Sequence, residues 1–125
     1  MNEVRGSISE LIANCIKINI EFQDPGDNAK QIIKDIHEKI SLHRSKLRLL
    51  LSTNPKKTTH SNLLNSMKEL IDKLDHHVLN YRNNVNDWNN QVFQTACNKV
   101  VEDGRTLLYA EWKEIQKLTD DSQTS

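Results

Sequence analysis

The chain has 125 residues, with seventeen acidic and seventeen basic side chains, two prolines, three glycines and two cysteines. That length supports one hydrophobic core and not two, and the scarcity of Pro and Gly argues against a turn-rich sheet. A formal net charge of zero leaves no global field to draw the chain onto nucleic acid or an anionic membrane, and the sequence has no apolar run of secretory or membrane-spanning type, so a soluble chain is expected.

Four helical segments are predicted in chain order. The first covers about residues 4–22, with Ile8, Leu11, Ile12, Cys15, Ile18 and Phe22 on one face. Asp24-Pro25-Gly26-Asp27 follows as a turn, with φ fixed at Pro25, permissive at Gly26, and Asp27 expected as the next N-cap. The second helix carries Ala29, Ile32, Ile33, Ile36, Ile40, Leu47, Leu50 and Leu51, and stops before Pro55, because a residue preceding proline is pushed out of the helical region. The third starts near residues 58–61 and presents Leu63, Leu64, Met67, Leu70, Ile71, Leu74 and Val78. Residues 83–87 form a weak break with candidate caps.

The fourth helix is predicted from Trp88 onward, with a stripe of Val92, Ala96, Val100, Leu107, Glu111, Ile115 and Leu118. Gly104 completes that stripe, and the small residues Ala96, Cys97 and Gly104 allow a neighbouring helix to approach at mid-length. Short loops make successive helices antiparallel, so the expected fold is all-α, an antiparallel up-down-up-down four-helix bundle over residues 1–118. The polar tail, residues 119–125, is expected to fray. Cys15 and Cys97 sit at helical positions among apolar residues and are expected to be small buried hydrophobes of an intracellular protein.

Chemistry-bearing patterns are sparse. Five histidines invite a metal test, yet adjacent His76 and His77 diverge by about 100° on a helix. Asp72 and His76 supply at most two ligands, and the Glu-x-x-His pairs of di-metal bundles do not occur, so weakly paired surface histidines and no cofactor are expected. Neither cysteine has a neighbouring histidine or basic cluster, and neither a Gly-x-Ser-x-Gly elbow nor a Gly-rich phosphate loop is present, so an enzyme is not expected. The basic residues are more informative. Lys34 flanks the Ile33, Ile36 and Ile40 stripe, and Lys68 and Lys73 flank Met67, Ile71 and Leu74. A shallow apolar groove with basic rims suits a short amphipathic helix bearing leucines and acidic residues. Against this stands the plain alternative that the lysines solvate helix surfaces, some in pairs such as Glu69 with Lys73.

Five segments, in order, resemble the focal adhesion targeting domain of the focal adhesion kinase family. Val4-Arg-Gly-Ser-Ile-Ser-Glu-Leu-Ile12, with Lys17-Ile18 beyond, is similar to that family's first-helix opening. Ile32-Ile-Lys-Asp-Ile36 and Glu69-Leu-Ile-Asp-Lys-Leu74 resemble its Met-Val-Lys-Glu-Val and Glu-Leu-Ile-Asn-Lys-Met. Gln91-Val-Phe-Gln-Thr-Ala96 and Val101-Glu-Asp-Gly-Arg-Thr-Leu-Leu108 resemble two segments of its fourth helix. The resemblance implies a non-catalytic module of a tyrosine kinase, cytoplasmic and located at focal adhesions. Its implied partners are the leucine-rich LD motifs of paxillin-type scaffolds, with talin or other adhesion proteins as further candidates, and neither nucleic acid nor membrane insertion.

In that family the motifs dock in one groove between helices one and four and another between helices two and three. Carried over, Ile12 is the apolar centre of the first groove and Arg105 a basic position in helix four. Ile71 is the apolar centre of the second, with Ile33 beside it and Lys34 and Lys73 as its basic positions. Asn89-Asn90 and Asp75 replace lysines of the family pattern, which predicts a weaker positive potential at both grooves, and the connection around residues 54–57 is shorter. Met1 stands where the family has a phosphorylatable tyrosine, while Tyr81 and Tyr109 are expected to be packing residues. A vinculin- or catenin-like cytoskeletal bundle and a small metal-binding helical protein are the alternative readings.

Overall fold

Apolar residues recurring at three and four positions place one buried stripe on each helix, and four such stripes close a common core. The computed structural model describes the backbone of residues 2–52 and 57–124, and side chains within those ranges as far as residue 117. Its elements are α1 (Asn2–Gln23), α2 (Ala29–Leu51), α3 (Thr58–Arg82) and α4 (Asn90–Thr124). Each helix packs on its neighbours around the ring, α1 on α2, α2 on α3, α3 on α4 and α4 back on α1, while the diagonal pairs stay apart. Cross-helix contacts fix the directions. His37 meets Asp75, Lys57 meets Glu111, and Ile8 meets Gly104, so adjacent helices run antiparallel. This is the expected up-down-up-down four-helix bundle.

Leu11 and Ile18 from α1, Ile40 and Leu47 from α2, Leu63, Leu70 and Leu74 from α3, and Val100 and Leu107 from α4 are fully buried. Each such side chain contributes about 1.5–3 kcal/mol relative to exposure, which is what holds helices of low intrinsic stability together. Both ends of the core have polar closures. At one end the imidazole of His60, itself buried, bonds the Leu51 carbonyl (3.2 Å) and the Glu111 carboxylate (3.1 Å), while Lys57 Nζ donates to Glu111 at 3.0 Å and Glu114 at 3.2 Å. At the other end Trp88 stacks on Phe22 with centroids 4.4 Å apart, meets His77 edge-on and touches Phe93. Its indole N–H donates to Asn19 Oδ1 at 2.8 Å, so the ring closes the core without stranding its polar atom.

Several local expectations are corrected. Asp27 is not the cap of α2: the Ala29 N–H bonds the Gly26 carbonyl, and Asn28 occupies the cap position without a side-chain bond. Trp88 lies outside α4, which starts at Asn90, and Asn89 caps it by accepting the Val92 N–H at 3.2 Å. Freed from the helix, Trp88 turns into the end of the bundle. The core stripe of α4 accordingly runs through Phe93, Ala96, Val100 and Leu107, with Val92 and Ile115 exposed. The backbone of α4 is helical to Thr124. The break after α3 is a Schellman ending. Asn84 takes φ 64°, the Val85 N–H bonds the Asn80 carbonyl and the Asn84 N–H that of Tyr81. The helix stop at Pro55 and most of the shortened connection fall outside the described residues, as does Met1.

Candidate partner-binding groove

On α1, Ile8, Ile12 and Ile16 recur at intervals of four and therefore line one flank beside the buried stripe. On α4, Val101, Gly104, Arg105 and Leu108 do the same. Ile8 packs over Gly104, where an added Cβ would make ordinary contact with Ile8 Cγ2 at 3.4 Å and Cδ1 at 3.5 Å. The two helices thus meet at Ile8 and Gly104, and beside that meeting a groove of ≈ 420 Å³ opens, floored by Ile8, Ile12, Ile16, Val101 and Leu108 with Ser9, Ala13 and Arg105 on its margins. It continues along the same seam as a second hollow of ≈ 290 Å³ that shares Ile12, Ile16 and Val101 and adds Asn19, Phe93 and Cys97. From Phe93 to Leu108 the trough is about 22 Å long at 1.5 Å per residue, room for a docked helix of four turns.

Its surface is apolar in the middle and basic at one end. Ile16 is 54 % exposed and Ile12 half-buried, so both keep apolar area to offer. Arg105 lines the groove, and Arg5, three residues before Ile8 on α1, lies on the same flank. Both guanidiniums are exposed, and among the described residues neither is held in an ion pair. The thiols beneath this seam are inert acids. Burial, reinforced by the nearby Cys97, pushes the Cys15 thiol far up, and burial raises that of Cys97 too.

The family-derived residues therefore separate into two groups. Ile12 and Arg105 come together in the α1/α4 groove. Ile33 and Ile71 lie in the core instead, at 2 % and 1 % exposed, with Lys34 and Lys73 exposed on the surface above. Over that second seam His37 Nε2 meets Asp75 Oδ1 at 2.6 Å and ties α2 to α3. A helix laid there would meet polar side chains and not an isoleucine floor. A larger hollow of ≈ 630 Å³ lies between α1 and α2, where Glu3, Glu10, His43 and Lys46 put four ionisable side chains on the wall beside Gly6, Ser7, Ser9, Leu49 and Leu50.

No protein-family model, curated protein or solved structure matches this chain significantly. The groove therefore stands on its own geometry. Among the described residues no group of three or more His, Cys, Asp or Glu side chains is placed to hold a metal, and no helix is long and apolar enough to cross a membrane. His76 and His77 face each other edge-on at 5.9 Å, and His77 bonds Asp87 while Asn80 bonds His76, so their polar atoms serve local structure.

Three residues of the groove have no binding role in the sequence-based expectations: Ile16, and Val101 and Leu108, which bound a resembling segment without being assigned to the groove. Ile16 sits one position off the core stripe of α1, and the Ile12, Ile16, Ile20 series at intervals of four was the available signal. Tyr109 departs from its expected packing role: it is 57 % exposed and stacks on Trp112, whereas Tyr81 packs edge-on against Phe22.

Proposed function

We propose that this bundle is a non-catalytic docking module whose α1/α4 groove receives a leucine-rich, acidic amphipathic helix of the LD-motif class, as found on paxillin-type adhesion scaffolds. One observation carries the reading. Ile12 and Arg105, the two residues that the resemblance assigns to a single groove, lie together on an exposed apolar trough of helical dimensions. Leucines of the incoming helix would cover Ile12, Ile16 and Leu108 while its carboxylates meet Arg5 and Arg105. Exposed ion pairs contribute about 0–1 kcal/mol each, so apolar burial supplies most of the affinity and the arginines the orientation. The same resemblance makes the module the adhesion-targeting part of a focal adhesion kinase-like tyrosine kinase. The second groove is left out of this proposal because Ile33 and Ile71 have no surface to give.

The test is an amide-shift titration of isotope-labelled protein with a leucine-rich acidic LD-type peptide. Shifts are expected at Ile12, Ile16, Val101 and Arg105, with Lys34 and Lys73 unmoved. Absence of shifts at millimolar peptide, or shifts confined to α2 and α3, overturns the proposal.

A further inference from the structure

The flank of α4 that lines the groove does not stop at Leu108. At about 100° per residue, Val101, Leu108 and Trp112 fall within a sector of about 40°, so Trp112 is the next groove-facing position, one turn beyond Leu108. Its ring is 50 % exposed. It is also held in place. Tyr109 stacks on it at 6.1 Å with planes 27° apart, and Lys113 Nζ lies 5.1 Å over the Tyr109 ring. A large aromatic ring braced from one side and open on the other loses little conformational freedom on being covered, and Trp is over-represented among residues that dominate binding. Arg5 and Arg105 flank the same end of the trough without partners among the described residues.

Resting on the docking reading above, we infer that the occupant is an acidic amphipathic helix longer than the trough itself, running about 28 Å from Phe93 to Trp112, with an apolar side chain seated on the Trp112 ring and carboxylates one turn inside it, between Arg5 and Arg105. Four turns cover the floor; a fifth reaches the ring. The aromatic step then selects partners by length and by the residue placed one turn past the leucine stripe, a discrimination that the aliphatic floor alone cannot make.

The probes are synthetic leucine-rich acidic helices of about 15 residues, and the same peptides extended by one apolar turn at either end. On the unmodified chain one of the extended peptides should bind at least about tenfold tighter than the short one, consistent with a tryptophan contact. It should also shift the Trp112 indole N–H signal, which the short peptide should leave in place. Trp112→Ala should remove the advantage of the extended peptide and leave the short peptide's affinity unchanged; thermal melting confirms that this exposed substitution leaves the bundle folded. Equal affinities for short and extended peptides with an unmoved Trp112 indole overturn the inference, while short-peptide shifts at Ile16 keep the docking reading intact. If no peptide binds, both fall.

Discussion

The α1/α4 and α2/α3 seams are built from similar material and end up as opposites. Each sets isoleucines beside basic residues, and the pattern of the resembled family treats both as grooves. In the first, Ile8 meets Gly104, and Ile12 and Ile16 keep exposed apolar area. In the second, Ile33 and Ile71 sink into the core, and the His37–Asp75 pair spans the gap. Depth and not composition separates a docking surface from a core.

The sharpest way to break this comparison is to exchange the roles of Ile71 and Ile16. Ile71→Ala should cost about 2–5 kcal/mol in urea unfolding, because it removes buried methylenes and leaves a cavity. Ile16→Ala should stay within about 0.5 kcal/mol. Similar costs at both sites would mean that the seams do not differ. In binding the order reverses: Ile16→Glu should weaken an LD-type peptide at least about tenfold by placing a charge on the apolar floor, with melting temperature nearly unchanged.

Glu111 tests the closed end of the bundle against the open flank. Burial alone would raise its carboxyl, but hydrogen bonds from Lys57 and His60 outweigh that and hold it below the ordinary carboxylate value. A depressed folded value means that this stabilisation is complete above the unfolded carboxylate pKa and is lost as pH falls through the lower folded one. Unfolding midpoints of the unmodified chain and Glu111→Gln should therefore differ most near neutrality and converge in acid; Glu111→Ala should cost about 1–3 kcal/mol at neutral pH. A smaller effect is expected at the groove rim. Arg105→Ala should weaken peptide binding by no more than about fivefold, and the loss should shrink as salt rises, since an exposed pair gives about 0–1 kcal/mol. Smallest of all, Asn84→Gly should stabilise by up to about 1 kcal/mol, because the residue already holds a positive φ that glycine adopts freely.

Much of the architecture was legible in the sequence because spacing at three and four residues reports which face is apolar. It gave four helices, their order, and the stripes of α1, α2 and α3 almost residue by residue. Trp88 misled it, since a large apolar side chain before an amphipathic run looks like the first residue of the run. The cap at Asn89 and the indole bond to Asn19 are what keep it outside the helix, and the second of these is a contact across most of the chain. Periodicity also says nothing of depth. Ile12 and Ile71 are equivalent apolar residues on paper, and only the packing makes one half-buried and the other sealed. Ile16, Trp112 and Tyr109 were missed as surface features for the converse reason: an exposed apolar residue off the core stripe departs from the pattern and so carries no weight in it. His60 was missed because its partners, Leu51 and Glu111, come from two other helices.

Cys15 turns the bundle into its own stopwatch. The thiol is completely enclosed, and its acidity is suppressed by that enclosure, so an alkylating reagent reaches it only when α1 parts from its neighbours. Cys97, half-enclosed on the facing helix, lines the trough itself and so reports directly on its coverage. The labelling rate of Cys15 measures how often α1 parts from the bundle, on the scale of a local opening equilibrium. A ligand lying in the trough should slow the first reaction in proportion to its occupancy, whereas a partner that pulls the bundle apart should accelerate it.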